Sequence, residues 1–303
     1  MPANHPIFVI SDLHLADGGA RDNFAVRDRE QQFGLFLDHV AARQAELIIN
    51  GDLFEFWQAS LSRVLVHRRA LLDRLADMQA KYVVGNHDAD LAAFITDTAV
   101  NTDFLVHPSF ERMCGPFERT INDRKFRFMH GHEVDEANRG DVPGWGRIFA
   151  ILAGIFEDAH RSPIFSTGQT VEGELEKLVE DFRNRFSDAM RGLWDWLAKQ
   201  LGKESGALRW PDARDELTPA QNPSRAEEMM EKYEQHKEAN GYHIAIVGHT
   251  HKPGRRGDWY FNSGSWTDDP SSATNNFLEI DTSGEVAVFD WIDGRPVPNP
   301  TVL

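Results

Sequence analysis

The sequence has a single cysteine, too few basic residues to balance its acidic ones, and no long apolar segment. The one cysteine, Cys114, excludes an internal disulfide and a metal site built from thiolates. Lys and Arg number 32 against 48 Asp and Glu, so the formal net charge is −16. An acidic surface disfavours binding to nucleic acid and broad docking onto anionic lipid, because both partners are themselves negative.

The absence of long apolar runs excludes further classes of protein. No run approaches the ~20 residues that a membrane-spanning helix needs, and residues 1–10 lack the basic and apolar regions of a signal peptide. We therefore expect a cytoplasmic protein. With 303 residues, 41% of them hydrophobic and 26% charged, the chain can form one large α/β domain with an insertion or two modest domains.

The chain is organised around its stretch Ile7–His14. Residues 7–10 are apolar and predict a buried strand, which runs directly into Asp12 and His14. Residues two apart in an extended segment point to the same face. We therefore expect a carboxylate and an imidazole together at the carboxyl end of this strand, where open α/β sheets place their sites.

The remaining apolar pattern predicts an α/β fold. Strands at 47–49 and 82–84, with helices at 33–41 and 61–75, indicate parallel pairing with right-handed crossovers. Strands at 104–106, 117–121 and 125–129 have no long helices between them, which favours antiparallel pairing. Further strands are predicted at 243–247, 259–261, 276–280 and 285–291. We expect a four-layer αββα sandwich of two mixed sheets.

Residues 135–240 interrupt this pattern and are predicted to be a helical insertion, a lid or cap, in a core formed by residues 1–134 and 241–303. A long apolar stripe covers residues 175–201, and residues 145–156 are apolar nearly all round. Such helices either pack on each other and on the sandwich, or contact an apolar ligand, another subunit or a membrane. Peripheral membrane contact is therefore one expectation, and the oligomeric state stays open.

Five motifs in the chain have the same form, an apolar strand or short apolar run followed by polar residues. They are Asp12-x-His14, Gly51-Asp52, Gly85-Asn86-His87-Asp88, His130-Gly131-His132 and Gly248-His249-Thr250-His251. Any one histidine could be a hydrogen-bonded core or surface residue, but six of the 13 histidines lie in these motifs. Their oxygen and nitrogen donors suit Mn, Fe, Zn or Co.

The order of these motifs resembles the calcineurin-like metallophosphoesterase superfamily, over residues 7–132 and 243–266. The resemblance implies a metal-dependent phosphoesterase with two divalent metal ions, which we expect to be Mn, with Fe or Zn as alternatives. Two ions ~3.5–4 Å apart can clamp the attacking and leaving oxygens of an in-line displacement. By the same resemblance, Asp52 bridges the ions. The other ligands implied are Asp12, His14 and His251 for one ion, and Asn86, His130 and His249 for the other.

His87 matches the catalytic histidine of the superfamily, which is not a ligand. It is expected to stabilise the phosphoryl transition state or to protonate the leaving oxygen. Asp88 either orients the His87 ring or is a turn residue bonded to its own backbone. His132 is either a supporting or substrate contact or a plain surface histidine.

Two stretches near the C-terminus carry further expectations. Residues 260–266 resemble a stretch of the superfamily that lies on the strand beside the site. They are expected to pack behind the ligand loops, with Asn262 supporting the ligands. Three basic residues follow the last motif and either contact a second phosphate or a head group, or form a solvated loop. They are Lys252, Arg255 and Arg256.

Gly51-Asp52-Leu53-Phe54-Glu55-Phe56-Trp57, with residues 11–15, narrows the resemblance to the UDP-2,3-diacylglucosamine pyrophosphohydrolases of lipid A synthesis. Those enzymes also carry a helical insertion, used as a lid over acyl chains. They usually have Arg where this chain has His87, and their insertion is shorter. His87 instead favours a phosphomonoesterase or phosphodiesterase acting on a soluble nucleotide or a phosphoprotein. A non-catalytic scaffold would be expected to lose ligands, and none is missing.

Overall fold

The computed structural model describes residues 5–19, 22–26, 28–57, 59–94, 107–135, 223–267 and 275–303. Within these ranges the helices are α1 (Arg29–Ala42), α2 (Leu61–His67), α3 (Arg69–Asp77) and α4 (Pro223–Asn240). The strands before α4 are β1 (Ile7–Ile10), β2 (Glu46–Asn50), β3 (Lys81–Val83), β4 (Met113–Cys114), β5 (Phe117–Ile121) and β6 (Arg124–Phe128). Those after it are β7 (Ile244–Val247), β8 (Gly254–Arg256), β9 (Tyr260–Asn262), β10 (Asn276–Ile280), β11 (Val286–Ile292) and β12 (Arg295–Pro298).

The strands form two mixed sheets. The first has the order β12-β11-β10-β1-β2-β3-β4, and the second has the order β5-β6-β7-β9-β8. Strands β1 to β4 pair in parallel, as do β6, β7 and β9, whereas β10 to β12, β5 and β8 add antiparallel edges. The predicted parallel pairing of the first three strands and the antiparallel pairing of β5 with β6 are both confirmed.

Successive side chains of β1 point alternately into two apolar cores, one on each face of the first sheet. Phe8 and Ile10 pack with helix α1 on the outer face of the first sheet, while Ile7 and Val9 pack against the second sheet. Each large apolar side chain buried in this way contributes about 1.5–3 kcal/mol. On the far face of the second sheet, helix α4 completes the fourth layer. The predicted αββα sandwich is confirmed.

The predicted helix over 61–75 is two helices, which meet at Arg68. The backbone of Arg68 leaves the helical region at φ −95° and ψ 14°. Its guanidinium is 1% exposed and donates to Asp22 at 2.5 Å, to Glu30 at 2.9 Å and to the Ala16 carbonyl at 3.2 Å. The break lets a buried charge meet one carboxylate from a distant loop and another from α1, which helical periodicity alone does not reveal.

Part of the predicted insertion is helix α4, which packs on the second sheet through Met229, Met230 and Tyr233. Residues 136–222 lie outside the described residues, as does the predicted strand at 104–106. The insertion boundaries and the apolar helix at 145–156 therefore stay predictions. Strands β4, β8 and β12 were not predicted, because β4 has only two residues and the other two carry arginine with glycine or proline. Among the helices that the structure describes, none is both long and apolar enough to cross a bilayer.

Candidate metal centre

The first two motif loops lie side by side because their strands are parallel neighbours. The Asp12 N–H donates to the Gly51 carbonyl at 3.1 Å, and the His14 N–H donates to the Asp52 carbonyl at 3.0 Å. Asp12 and His14 have φ values of 55° and 47°. The prediction of an extended backbone at Asp12 and His14 is therefore wrong. Strand β1 ends at Ile10, and both residues direct their side chains into the site from left-handed backbone conformations.

Asp12, His14 and His251 form one group of candidate ligands. Asp12 Oδ1 lies 3.2 Å from His251 Nε2 and 3.8 Å from His14 Nε2. Asp12 Oδ1 and His14 Nε2 are buried, and within the described part of the chain neither makes a hydrogen bond of acceptable geometry. Buried polar atoms rarely lack a partner. These atoms converge as metal ligands would.

Asn86, His130 and His249 form the second group. Asn86 Oδ1 lies 3.1 Å from His130 Nε2 and 3.1 Å from His249 Nδ1. Asp52 Oδ2 lies 3.1 Å from His130 Nε2 and 3.6 Å from His14 Nε2. Asp52 thus lies between the two groups, and all seven predicted ligands lie close together in the structure.

The outward-facing nitrogens of three rings each meet an acceptor. The contacts are His14 Nδ1 to Glu55 Oε2 at 3.0 Å, His130 Nδ1 to the Asn50 carbonyl at 3.0 Å, and His249 Nε2 to Asp135 Oδ2 at 3.1 Å. A neutral ring that donates its N–H to that acceptor presents a lone pair at the other nitrogen. Those lone pairs face oxygen atoms that also carry lone pairs. A cation between them would replace this repulsion by attraction.

The charges of the site favour a cation at its centre. Burial disfavours a charged His130, but the carboxylates of Asp52 and Asp12 outweigh it and raise the pKa of His130 to about 10. Burial would raise the pKa of Asp52, yet His130 and His87 hold that pKa far below its usual range. The residues present therefore fit divalent metal ions, which would replace these protons.

His87 lies beside this centre, held by Glu55 and Trp57. His87 Nδ1 is 2.7 Å from Glu55 Oε2, and its ring stacks on the Trp57 ring with centroids 3.5 Å apart. Burial lowers the pKa of His87, although Glu55 opposes it. Glu55 therefore contacts both His14 and His87. This role of Glu55 was not predicted, although Glu55 lies three residues after Asp52 in the motif from Gly51 to Trp57.

The contacts of Asp88 distinguish between its two predicted roles. Its carboxylate accepts the N–H of Gly85 at 2.6 Å and that of Phe54 at 3.1 Å. Burial and the nearby Asp52 raise the pKa of Asp88 to about 7. Glu55, and not Asp88, is the carboxylate on the His87 ring. Asp88 instead ties the third motif loop to the second, close to the turn alternative.

Three other predicted features have clear places. Burial lowers the pKa of His132 to about 4, and its ring centroid lies 5.5 Å from that of His130. Asn262 Nδ2 donates to the Gly248 carbonyl at 2.8 Å and to Thr250 Oγ1 at 3.0 Å, so it supports the last motif from behind. The basic residues after that motif are at the surface: Arg255 is exposed, and Lys252 and Arg256 are half-buried.

Comparisons with known proteins bear on the family. Solved structures similar to this chain include a Vps29 double mutant from Entamoeba histolytica (14% identity, TM-score 0.39, covering 97% of this chain and 99% of that one). Another is a conserved uncharacterized protein and predicted phosphoesterase from Streptococcus pneumoniae (11% identity, TM-score 0.33, covering 98% and 99%). These scores are too low to carry an argument. The search of curated proteins found no match.

A model of a protein family gives a match over most of the chain. It is described as calcineurin-like phosphoesterase and matches residues 5–253, which include all five motifs. The matched segment holds both groups of candidate ligands and His87. The chain therefore belongs to the calcineurin-like phosphoesterase family and is a metal-dependent phosphoesterase.

Proposed function

We propose that the chain hydrolyses its phosphoester with two divalent metal ions. Asp12, His14 and His251 would hold one ion, Asn86, His130 and His249 would hold the other, and Asp52 would contribute to both. The observation that carries this is the position of Asp52 Oδ2, 3.6 Å from His14 Nε2 and 3.1 Å from His130 Nε2. One carboxylate oxygen thus faces a ligand from each group.

Bound ions supply Lewis-acid activation of the phosphoryl group and of the attacking water. The protein holds its donors in place for them. The backbone N–H of His87 donates to Asp52 Oδ1 at 2.9 Å, and that of His249 donates to Asp12 Oδ2 at 3.0 Å. Each carboxylate therefore has one oxygen fixed by the backbone and the other left for the centre. We expect Mn, with Fe or Zn as alternatives.

His87 is the proposed catalytic residue that is not a ligand. Its Nδ1–H donates to Glu55 and Trp57 covers one ring face, so the ring is held with Nε2 as its remaining polar atom. When protonated, His87 can donate from Nε2 to the leaving oxygen as the P–O bond breaks, or stabilise charge on the phosphoryl oxygens. Glu55 stabilises the positive ring in both roles.

For the substrate we propose a lipid-linked pyrophosphate of the UDP-2,3-diacylglucosamine type. The support is the motif from Gly51 to Trp57 together with the helical insertion predicted between the last two histidine motifs. A soluble nucleotide or phosphoprotein substrate is the second candidate. The observation that favours it is His87 itself, at the position where the pyrophosphohydrolases usually have Arg.

A substrate panel with Mn²⁺ separates these candidates. It comprises a phosphomonoester, a phosphodiester and UDP-diacylglucosamine analogues of increasing acyl length, with an Asp52→Asn variant as the control for metal-dependent turnover. The lipid proposal predicts that kcat/KM rises with acyl length, since each buried methylene contributes up to ~0.8 kcal/mol. If kcat/KM does not change with acyl length and a soluble ester is hydrolysed faster, the second candidate replaces the lipid proposal. No turnover of any ester would refute both.

A further inference from the structure

The ring of His249 is held in the opposite sense to those of His14 and His130. His249 turns Nδ1 towards Asn86 Oδ1, at 3.1 Å, and its outward nitrogen is Nε2. That nitrogen lies 3.1 Å from Asp135 Oδ2. The side chains of His249 and Asp135 are only 9% and 12% exposed, so water competes little for this contact.

The backbone holds Asp135 firmly in this place. Its N–H donates to the His132 carbonyl at 3.1 Å, and the Val134 N–H donates to the Gly131 carbonyl at 3.3 Å. The Val134 side chain is buried in the same apolar cluster as Tyr233 of α4, and Tyr233 Oη donates to the Gly131 carbonyl at 3.2 Å. The turn after His130 is therefore packed from behind, and it carries the Asp135 carboxylate to the His249 ring.

We propose that Asp135 is a positioning residue for the half of the metal centre formed by Asn86, His130 and His249. By accepting the Nε2–H of His249 it selects the tautomer with the Nδ1 lone pair directed at the centre, and it fixes the orientation of the ring. Glu55 has the corresponding place on His14, in the other half. The inference rests on the proposed two-metal function. It implies that Asp135 and Glu55 affect the binding of different ions.

Stepwise Mn²⁺ binding to the metal-free protein, measured by calorimetry, tests the inference without any activity assay. Asp135→Ala should raise the Kd of one binding step by about 10- to 100-fold and leave the other within about 2-fold. Asp135→Asn keeps an oxygen acceptor and should lose less. Glu55→Gln should weaken the other step, so that the double variant weakens both. Asp38→Ala is the control, because it removes an equal charge from the exposed face of α1.

Each outcome bears on one proposal or the other. Two unchanged steps in Asp135→Ala, equal weakening of both steps, or an Asp135→Asn variant as weak as Asp135→Ala would overturn the positioning role. A parent protein that binds fewer than two Mn²⁺ ions would overturn the two-metal proposal as well. Thermal melting of the metal-free forms checks folding. Should Asp135→Ala not fold, Asp135→Ser, whose hydroxyl is too short to reach the ring, carries the same expectation.

Discussion

At the scale of single residues, five candidate ligands have left-handed backbones. The φ values are 55° for Asp12, 47° for His14, 51° for Asp52, 69° for His249 and 56° for His251. Such conformations are uncommon for residues other than glycine and cost about 1–3 kcal/mol each, and they gather at functional sites. The surrounding loops must hold them there. Packing and hydrogen bonds of the rest of the fold therefore stabilise a centre that local preferences oppose.

The bridging role of Asp52 predicts a shared effect on both ions. Asp52→Asn should lower the occupancy of both sites, because the amide removes the charge that faces His14 and His130. Elemental analysis of protein purified with Mn²⁺ should approach two metals per chain in the parent and fall clearly in the variant. A folded variant that keeps both metals and full activity would remove the bridging assignment.

The role of His87 predicts an effect on turnover without one on metal content. His87→Ala should reduce kcat by about 10²- to 10⁴-fold while Mn²⁺ occupancy holds, because the ring acts in the transition state. If the ring is the acid, the loss should be smaller for esters with good leaving groups such as p-nitrophenol. Equal losses across leaving groups would assign charge stabilisation instead. An unchanged kcat on every ester would contradict both roles.

At the scale of elements, the loops after β2 and β3 approach each other closely at Gly85. A Cβ at this position would lie 2.1 Å from Asp52 Oδ1 and 2.4 Å from the Asp52 backbone nitrogen. Backbone atoms cannot move aside as a flexible side-chain end can. Glycine is therefore needed at Gly85 for the two loops to meet, and not for an unusual φ value.

Gly85→Ala is expected to push Asp52 out of place. The free energy of unfolding should fall by about 1–3 kcal/mol, the usual effect of overpacking, and Mn²⁺ binding should weaken with it. Gly115→Ala is the matched control, because a Cβ there meets nothing within 4 Å and should change stability by less than about 0.5 kcal/mol. Urea unfolding and metal titration measure both variants. Equal stability of the two would contradict the close approach.

At the scale of the whole molecule, an ion pair joins the two sheets away from the metal centre. Arg119 on β5 donates to both carboxylate oxygens of Glu46 on β2, at 2.6 and 2.8 Å. Burial would raise the pKa of Glu46, but Arg119 and the neighbouring Arg112 and Lys81 outweigh it and lower that pKa below its usual value. The folded protein therefore holds Glu46 ionised more strongly than the unfolded chain does.

This shift predicts a pH-dependent contribution to stability. A lowered pKa stabilises the folded state above the unfolded pKa of about 4.3 and loses that effect as the pH falls through the folded pKa. Glu46→Gln should cost about 0.5–1 kcal/mol at pH 7, the range for a partly exposed pair, and its stability should converge with that of the parent as the pH falls through the folded pKa of Glu46. Unfolding curves between pH 2 and 7 measure this, with Glu111→Gln as an exposed control. A pH-independent difference would contradict it.

The sequence by itself was sufficient for the layers, the central strands and the family. Apolar runs alternate with helical stripes along the chain, and this local pattern determines which faces are buried. The candidate ligands were predictable for the same reason, because each follows directly after a strand or a short apolar run. The division into Asp12, His14 and His251 for one ion and Asn86, His130 and His249 for the other came from the resemblance and stays a proposal.

Only the tertiary structure decided how those side chains are held. Glu55 meets His14 across 41 residues, and Asp135 meets His249 across 114. The two helices around Arg68 and the place of Asp88 also depend on partners from distant loops. Strand and helix periodicity reports which side of an element is buried, but not which distant atom it meets there. The contacts that position the centre arise from the packing of loops, and no local pattern specifies them.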